Sequence, residues 1–191
     1  MSLLDQQIKP SVMTADDLYA LSPDNMRHEL IHGKLTTMSP AGFDHGRFSS
    51  LINAHVQLFV AEHNLGDTVG AETGFILARN PDTVRAPDLA FVKRERVRTV
   101  GRTKKFFPSY PDLAVEVLSP DDRASVVMKK IQQYLDAGTS QVWIIDPDEL
   151  SLTVYAPNLP PRVMTANDTL DGGDLLPGFS LPLAKILTAS D

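Results

Sequence analysis

The sequence predicts an α/β (α+β) fold with helices laid on a sheet, and three observations predict it. Residues 111–120, PDLAVEVLSP, are a short, largely apolar and β-branched run between prolines, as a buried strand requires. Residues 142–146, VWIID, are a second such run. Between them Val127, Ile131, Tyr134 and Leu135 fall on one face of a helical wheel, which makes a strand, helix, strand crossover with the two strands parallel.

Taken in order, residues 1–12 read as a flexible arm and residues 13–191 as one domain. Thr14 with Asp17 forms a capping box that opens a short helix, TADDLYAL, and Ser22-Pro23 stops it. HELIHGKLTTM, residues 28–38, reads as two short strands about a His32-Gly33 turn. Ser39-Pro40-Ala41-Gly42 breaks that pattern, and a long helix follows with Phe48, Leu51, Ile52, His55, Leu58 and Phe59 on one face. Residues 68–77 read as a strand containing Gly70 and Gly74, Asn80-Pro81-Asp82 as a turn, and residues 84–92, VRAPDLAFV, as one further strand. In the central crossover, Ser119 suits the N-cap, Pro120 the first helical position and Asp122 the bond back to the cap, while Gly138 supplies the left-handed stop. SLTVYAP then returns as a hairpin partner of the second strand, and a Pro- and Gly-rich tail closes the chain with LLPGFSLPLAKIL. Trp143 and Tyr155 read as core aromatics.

Composition bounds the function. A chain of 191 residues that is 42% hydrophobic and 22% charged is an ordinary globular one. It has no cysteine, so disulfides and thiolate metal sites are excluded. The start, MSLLDQQIKP, does not read as a leader, and no apolar run is long enough to span a bilayer. The expectation is a cytoplasmic protein with no membrane partner. A formal charge of −6 argues against a generic polyanion binder. A local basic strip exists all the same: Lys93, Arg94, Arg96, Arg98, Arg102, Lys104 and Lys105, opposed only by Glu95, read first as a solvated loop.

The chemistry lies in charges placed where burial is costly. Glu116 interrupts the first buried strand, and an unpaired carboxylate there costs several kcal/mol in order of magnitude, so it needs a partner. Asp88 interrupts the preceding strand in the same way. Two acids on adjacent strands can hold one or two hard divalent cations through oxygen. On the helical wheel Lys130 borders the apolar stripe while Lys129 points away, so Lys130 can lean over the sheet to orient water or face a phosphate. Acid, acid and lysine over Mg²⁺ suit phosphodiester hydrolysis. They suit a plain buried ion pair equally well. Glu29 reads as a hairpin or surface ion pair with a further acidic site member as the alternative. His45 and His55 read as half-buried helical residues, with His45 placed where a helix start also suits a phosphate. Arg123 lies on the edge of Lys130 and suits either a phosphate or a surface ion pair; Glu72 faces solvent.

The order of these pieces resembles a known family. HELIHGKL is followed by MSPAG and His45, Pro87-Asp88 in RAPDLAFV, Glu116 in LAVEVLSP, Lys130 and Tyr134 in KIQQYLDAG, then VWIIDP and LPGFSL. Together they cover nearly the whole chain from residue 13 and resemble the Uma2 or DUF820 group, a restriction-endonuclease-like branch of the PD-(D/E)XK nuclease superfamily. The resemblance implies a central mixed β-sheet flanked by helices, with the N-terminal hairpin as an extension. It implies Asp88 and Glu116 as metal ligands, the Val117 backbone carbonyl as a third, and Lys130 as the catalytic lysine. In the superfamily that lysine stands two positions after the glutamate, where this chain has Leu118. The implied activity is Mg²⁺-dependent endonucleolytic cleavage of DNA, with Mn²⁺ able to substitute, by a homodimer whose two sites serve the two strands. A catalytically silent nuclease-fold module and a hydrolase of small phosphoesters are the alternatives.

Overall fold

The computed structural model of the chain describes residues 12–21 and 26–188, so that the expected arm, apart from Val12, and the Ser22-Pro23 stop lie outside the described residues. Helix α1 spans Ala15–Ala20 behind the predicted capping box, in which the Thr14 N–H donates to Asp17 at 2.8 Å and the Asp17 N–H to Thr14 Oγ1 at 3.2 Å. Strands β1, Arg27–Ile31, and β2, Lys34–Met38, form the expected hairpin. Its turn residues His32 and Gly33 both take positive φ, 48° and 75°. Helix α2, Phe43–Glu62, buries Phe48, Ile52, Val56 and Val60, an i, i+4 row. Leu58, expected on that face, lies round the helix from Val56 and Val60 and is 62% exposed.

Two expected strands are each broken in two. Residues 68–77 divide into β3, Gly66–Gly70, and β4, Phe75–Ala78, in different sheets. At Gly74 the Phe106 ring occupies the space a side chain would need, and the Phe107 N–H bonds the Gly74 carbonyl at 2.8 Å. Residues 84–92 divide into β5, Thr83–Arg85, and β6, Leu89–Lys93. The break falls at Ala86-Pro87-Asp88, where proline has no N–H to continue a ladder. Asp88 therefore sits at the junction of two sheets rather than inside a strand.

The basic segment is also not a loop throughout: α3, Arg94–Val100, is helical and ends at Gly101 with φ 71°. After β7, Leu113–Val117, helix α4 spans Ala124–Ala137 with Arg123 at its N-cap, later than the Ser119 start the sequence suggests. Ser119 and Asp122 close a separate turn instead, the Ser119 N–H donating to Asp122 Oδ2 at 2.8 Å and the Asp122 N–H to the Ser119 carbonyl at 2.9 Å. Gly138 ends α4 in the left-handed region, as expected. Strand β8, Gln141–Asp146, runs parallel to β7, and β9, Ser151–Tyr155, returns antiparallel to β8. The tail carries β10, Arg162–Thr165, β11, Thr169–Gly172, and β12, Leu176–Pro182, before a 3-10 turn at Leu183–Lys185.

Among the described residues the strands form a six-stranded mixed sheet ordered β10-β9-β8-β7-β6-β3, a four-stranded sheet ordered β2-β1-β5-β4, and the β11-β12 ribbon. The central strand β7 is covered on both faces. Leu113, Val115 and Val117 join the main core with Phe48, Ile52, Trp143 and Phe179. Ala114 points the other way, into a cluster with Ile131 and Tyr134 of α4 and Val142 and Ile144 of β8. Each large apolar side chain so buried contributes about 2 kcal/mol. Alternation puts Glu116 on the Ala114 face, under α4. No helix among the described residues is long and apolar enough to cross a membrane.

Candidate active site

Register brings the two acids together. Strands β6 and β7 are antiparallel with Leu89 opposite Val115, so Asp88 stands one step beyond the last pair, on the level of Glu116. The Val117 N–H closes that step by donating to Asp88 Oδ2 at 2.9 Å. Helix α2 brings His45 Nε2 to the same oxygen at 3.1 Å. Strand β1 contributes Arg27, whose guanidinium lies 3.3 Å from Asp88 Oδ1 and donates to the Ala86 carbonyl at 2.8 Å. Asp88 is thus held from three elements, counting the strand that carries Val117.

Glu116 is held from above. Lys130 Nζ reaches Glu116 Oε1 at 2.8 Å, and the Tyr134 hydroxyl, one turn further along α4, donates to the same oxygen at 2.8 Å. Lys130 also lies 3.5 Å from Glu29 Oε1. Glu29 is 2% exposed, so its expected hairpin or surface pairing is instead an interior one. Arg85 Nη1 donates to Glu29 Oε2 at 2.6 Å, the Ala86 N–H to Glu29 Oε1 at 3.0 Å, and Arg85 Nε to Gln133 Oε1 at 2.9 Å. The hairpin, the β5–β6 junction and α4 are locked into one polar network.

The electrostatics separate the three acids. Burial pushes Asp88 up, but the His45 and Val117 hydrogen bonds and the His45 and Arg27 charges outweigh it and hold its carboxyl below the usual range. Burial likewise opposes Glu29, which Lys130 and Arg85 bring down overall. Glu116 goes the other way: burial lifts it and Asp88 and Glu29 add to this, against the pull of Lys130, to about 7. Lys130 loses by burial and gains more from Glu116 and Glu29, so its pKa rises and it stays charged. The Asp88 hydrogen bond raises His45, against its burial.

Carboxylate oxygens are the donor type a hard divalent cation takes; Asp88 Oδ1 already meets Arg27, and Oδ2 meets the Val117 N–H and His45. The bonds to Glu116 both fall on Oε1, leaving Oε2 without a hydrogen-bond partner among the described residues. Glu116, with Leu118 and Lys130, lines a cleft of about 60 Å³ between β7 and α4. Among the described residues no group of three or more His, Asp or Glu side chains is arranged to hold a metal. The donor set is two carboxylates, a number that suits Mg²⁺, which keeps several waters or takes substrate phosphate.

Of the residues singled out by sequence, Asp88, Glu116, Lys130, Glu29 and His45 are brought together. Val117 takes part through its N–H. Arg123 stands exposed at the α4 N-cap without a side-chain cap bond. Arg27, Arg85 and Gln133 were not singled out. The spacing held a signal for each: Arg27 shares a strand face with Glu29, Arg85 precedes the Pro87-Asp88 break, and Gln133 follows Lys130 by one turn.

A family model, Uma2, described as "Putative restriction endonuclease", matches residues 15–184. The chain belongs to this family. A crystal structure described as "a putative nuclease belonging to DUF820", from Anabaena variabilis, superposes with a TM-score of 0.79. The two chains are 22% identical, with 92% of this chain and 97% of the other covered. At that identity the likeness establishes the shared fold, a central mixed sheet flanked by helices. No curated protein matches the chain. The Uma2 motifs read from the sequence, from HELIHGKL to LPGFSL, lie inside the matched span.

Proposed function

We propose that this Uma2 protein is a metal-dependent endonuclease that hydrolyses DNA phosphodiester bonds at Asp88 and Glu116. The observation that carries the proposal is the placing of Lys130 Nζ 2.8 Å from Glu116, beside the Asp88 junction, on the one face of β7 that carries a charge. Asp88, Glu116 and the Val117 carbonyl would hold Mg²⁺, or Mn²⁺ in its place; bound there, the ion supplies phosphate polarisation and an activated water. Lys130, kept charged by Glu116 and Glu29, presents a cation to the phosphate or orients the attacking water. Tyr134 fixes the Glu116 carboxylate, and His45 and Arg27 fix Asp88. Arg123, exposed at the start of α4, would contact a phosphate. A homodimer would supply one site per strand of a duplex.

The test is nicking of supercoiled plasmid with Mg²⁺ or Mn²⁺, by wild type, Asp88→Asn and Glu116→Gln. The proposal requires loss of at least about a hundredfold in rate in each variant, the scale set by removing one electrostatic contributor to a phosphoryl transition state. Cleavage by both variants at the wild-type rate removes the acids from the mechanism.

A second reading has one specific observation in its favour: each acid of the cluster already has a cationic partner within the chain. A catalytically silent nuclease-fold module would keep these as structural pairs. It predicts that divalent cations leave the thermal stability unchanged.

A further inference from the structure

The proposed site adjoins a larger cleft that the chemistry above does not use. Its volume is about 520 Å³, and Arg27, Leu18, Met38, Pro40, Glu72 and Phe106 are among its walls. Arg27 joins the cleft to the acids, since the same guanidinium holds Asp88 Oδ1 at 3.3 Å. Phe106 joins it to the basic segment. The Phe106 ring meets Tyr19 of α1 edge-on, with centroids 5.4 Å apart, and the Tyr19 hydroxyl donates to the Lys104 carbonyl at 2.6 Å. The loop after α3 is therefore tied to the helix whose Leu18 lines the cleft.

That loop carries unneutralised charge. Lys105 is engaged by Asp16 at 2.7 Å, but Arg102 and Lys104 are exposed and have no acidic partner among the described residues. In a chain of net charge −6, two open cations on the loop that Tyr19 and Phe106 tie to a cleft walled by Arg27 form a local attraction for a polyanion, against the general repulsion. Glu72, exposed on the cleft wall, works against it.

We propose that a DNA strand runs from the Asp88 and Glu116 site through this cleft and across the loop, with Arg102 and Lys104 contacting its phosphates. The inference rests on the endonuclease reading and adds the path of the substrate. Phosphate contacts of this kind release counterions, so they set affinity and its dependence on salt without reading sequence.

The experiment is fluorescence anisotropy of a labelled DNA duplex over a salt series with Ca²⁺ present. The proteins are wild type, the double variant Arg102→Glu, Lys104→Glu, and a control, Lys129→Glu, Lys185→Glu, which changes net charge equally at other exposed positions. The expected result is a loss of about tenfold or more in affinity for the loop variant and a salt slope shallower by about 2, with the control within about threefold of wild type. Glu72→Gln should bind more tightly than wild type. Both double variants should melt with wild-type thermal midpoints, because all four positions are exposed. Wild-type affinity in the loop variant, or equal loss in the loop and control variants, overturns the path and leaves the endonuclease reading standing. Absence of wild-type binding at low salt overturns both.

Discussion

Lys130 and Glu116 meet across the gap between α4 and β7 at 2.8 Å, although the two lie on different elements. In the superfamily that the sequence resembles, the lysine stands on the strand itself, two positions after the glutamate. Here that position is Leu118, which shares the face of Glu116 and lines the same small cleft as Lys130. The helical lysine thus brings its charge to the space the strand lysine would fill. Glu29 Oε1 lies 3.5 Å from the Lys130 nitrogen.

Lys130→Met should lower the cleavage rate by about a hundredfold or more while metal binding persists, because the charge facing the phosphate is lost and both proposed ligands remain. Leu118→Lys in that background should recover part of the rate, about tenfold, by returning the cation to the same face. Plasmid nicking measures both. A Lys130→Met protein that cuts at the wild-type rate would show that the helical lysine has no part in the reaction.

Glu116 makes the metal-free protein less stable as pH rises. Its folded pKa, about 7, lies above its ordinary value of 4.5, so the native state holds the proton more tightly. Stability is therefore lost as pH climbs from the ordinary value through 7, and the loss is complete above it. Glu116→Gln removes that pH-dependent loss, so its melting temperature relative to wild type should rise between about pH 5 and about pH 8, whatever constant cost the loss of the Lys130 partner adds. Thermal melts in chelator across this range decide it.

Asp82 shows the opposite sign. Burial would raise its pKa, but the Ala15 and Asn80 N–H groups and Arg79 outweigh it, and the carboxyl is held below its usual range. Its contribution is present above the ordinary carboxylate range and fades as pH falls through the lower folded value. Asp82→Ala should cost about 1–3 kcal/mol near neutrality, since it frees the Ala15 N–H at the start of α1, and much less at about pH 3. Urea unfolding at the two pH values gives the comparison.

Local chemistry made much of this readable in the sequence. The capping box at Thr14, the His32-Gly33 hairpin, the parallel strands about α4 and the Gly138 stop depend on neighbouring residues, and each stands where the pattern puts it. The two divided strands were not readable. Their breaks depend on which sheet each half joins, and at Gly74 on a ring 32 positions away in Phe106. The site divides along the same line. Asp88, Glu116 and Lys130 stand out because a charge in an apolar run needs a partner. Arg27 and Arg85 sit in half-buried and short strands where an arginine looks like ordinary surface, and only the folding of the hairpin against the β5–β6 junction turns them inward.

The central claim is that Asp88 and Glu116 form a divalent-cation site, and calorimetric titration of Mn²⁺ and Mg²⁺ into metal-free wild type and Asp88→Asn tests it without any choice of substrate. Saturable binding by the wild type is expected, strengthened by duplex DNA because substrate phosphate completes the shell of the ion, and lost in the variant. Equal binding by the two proteins, or no binding by the wild type even with duplex DNA present, would contradict it.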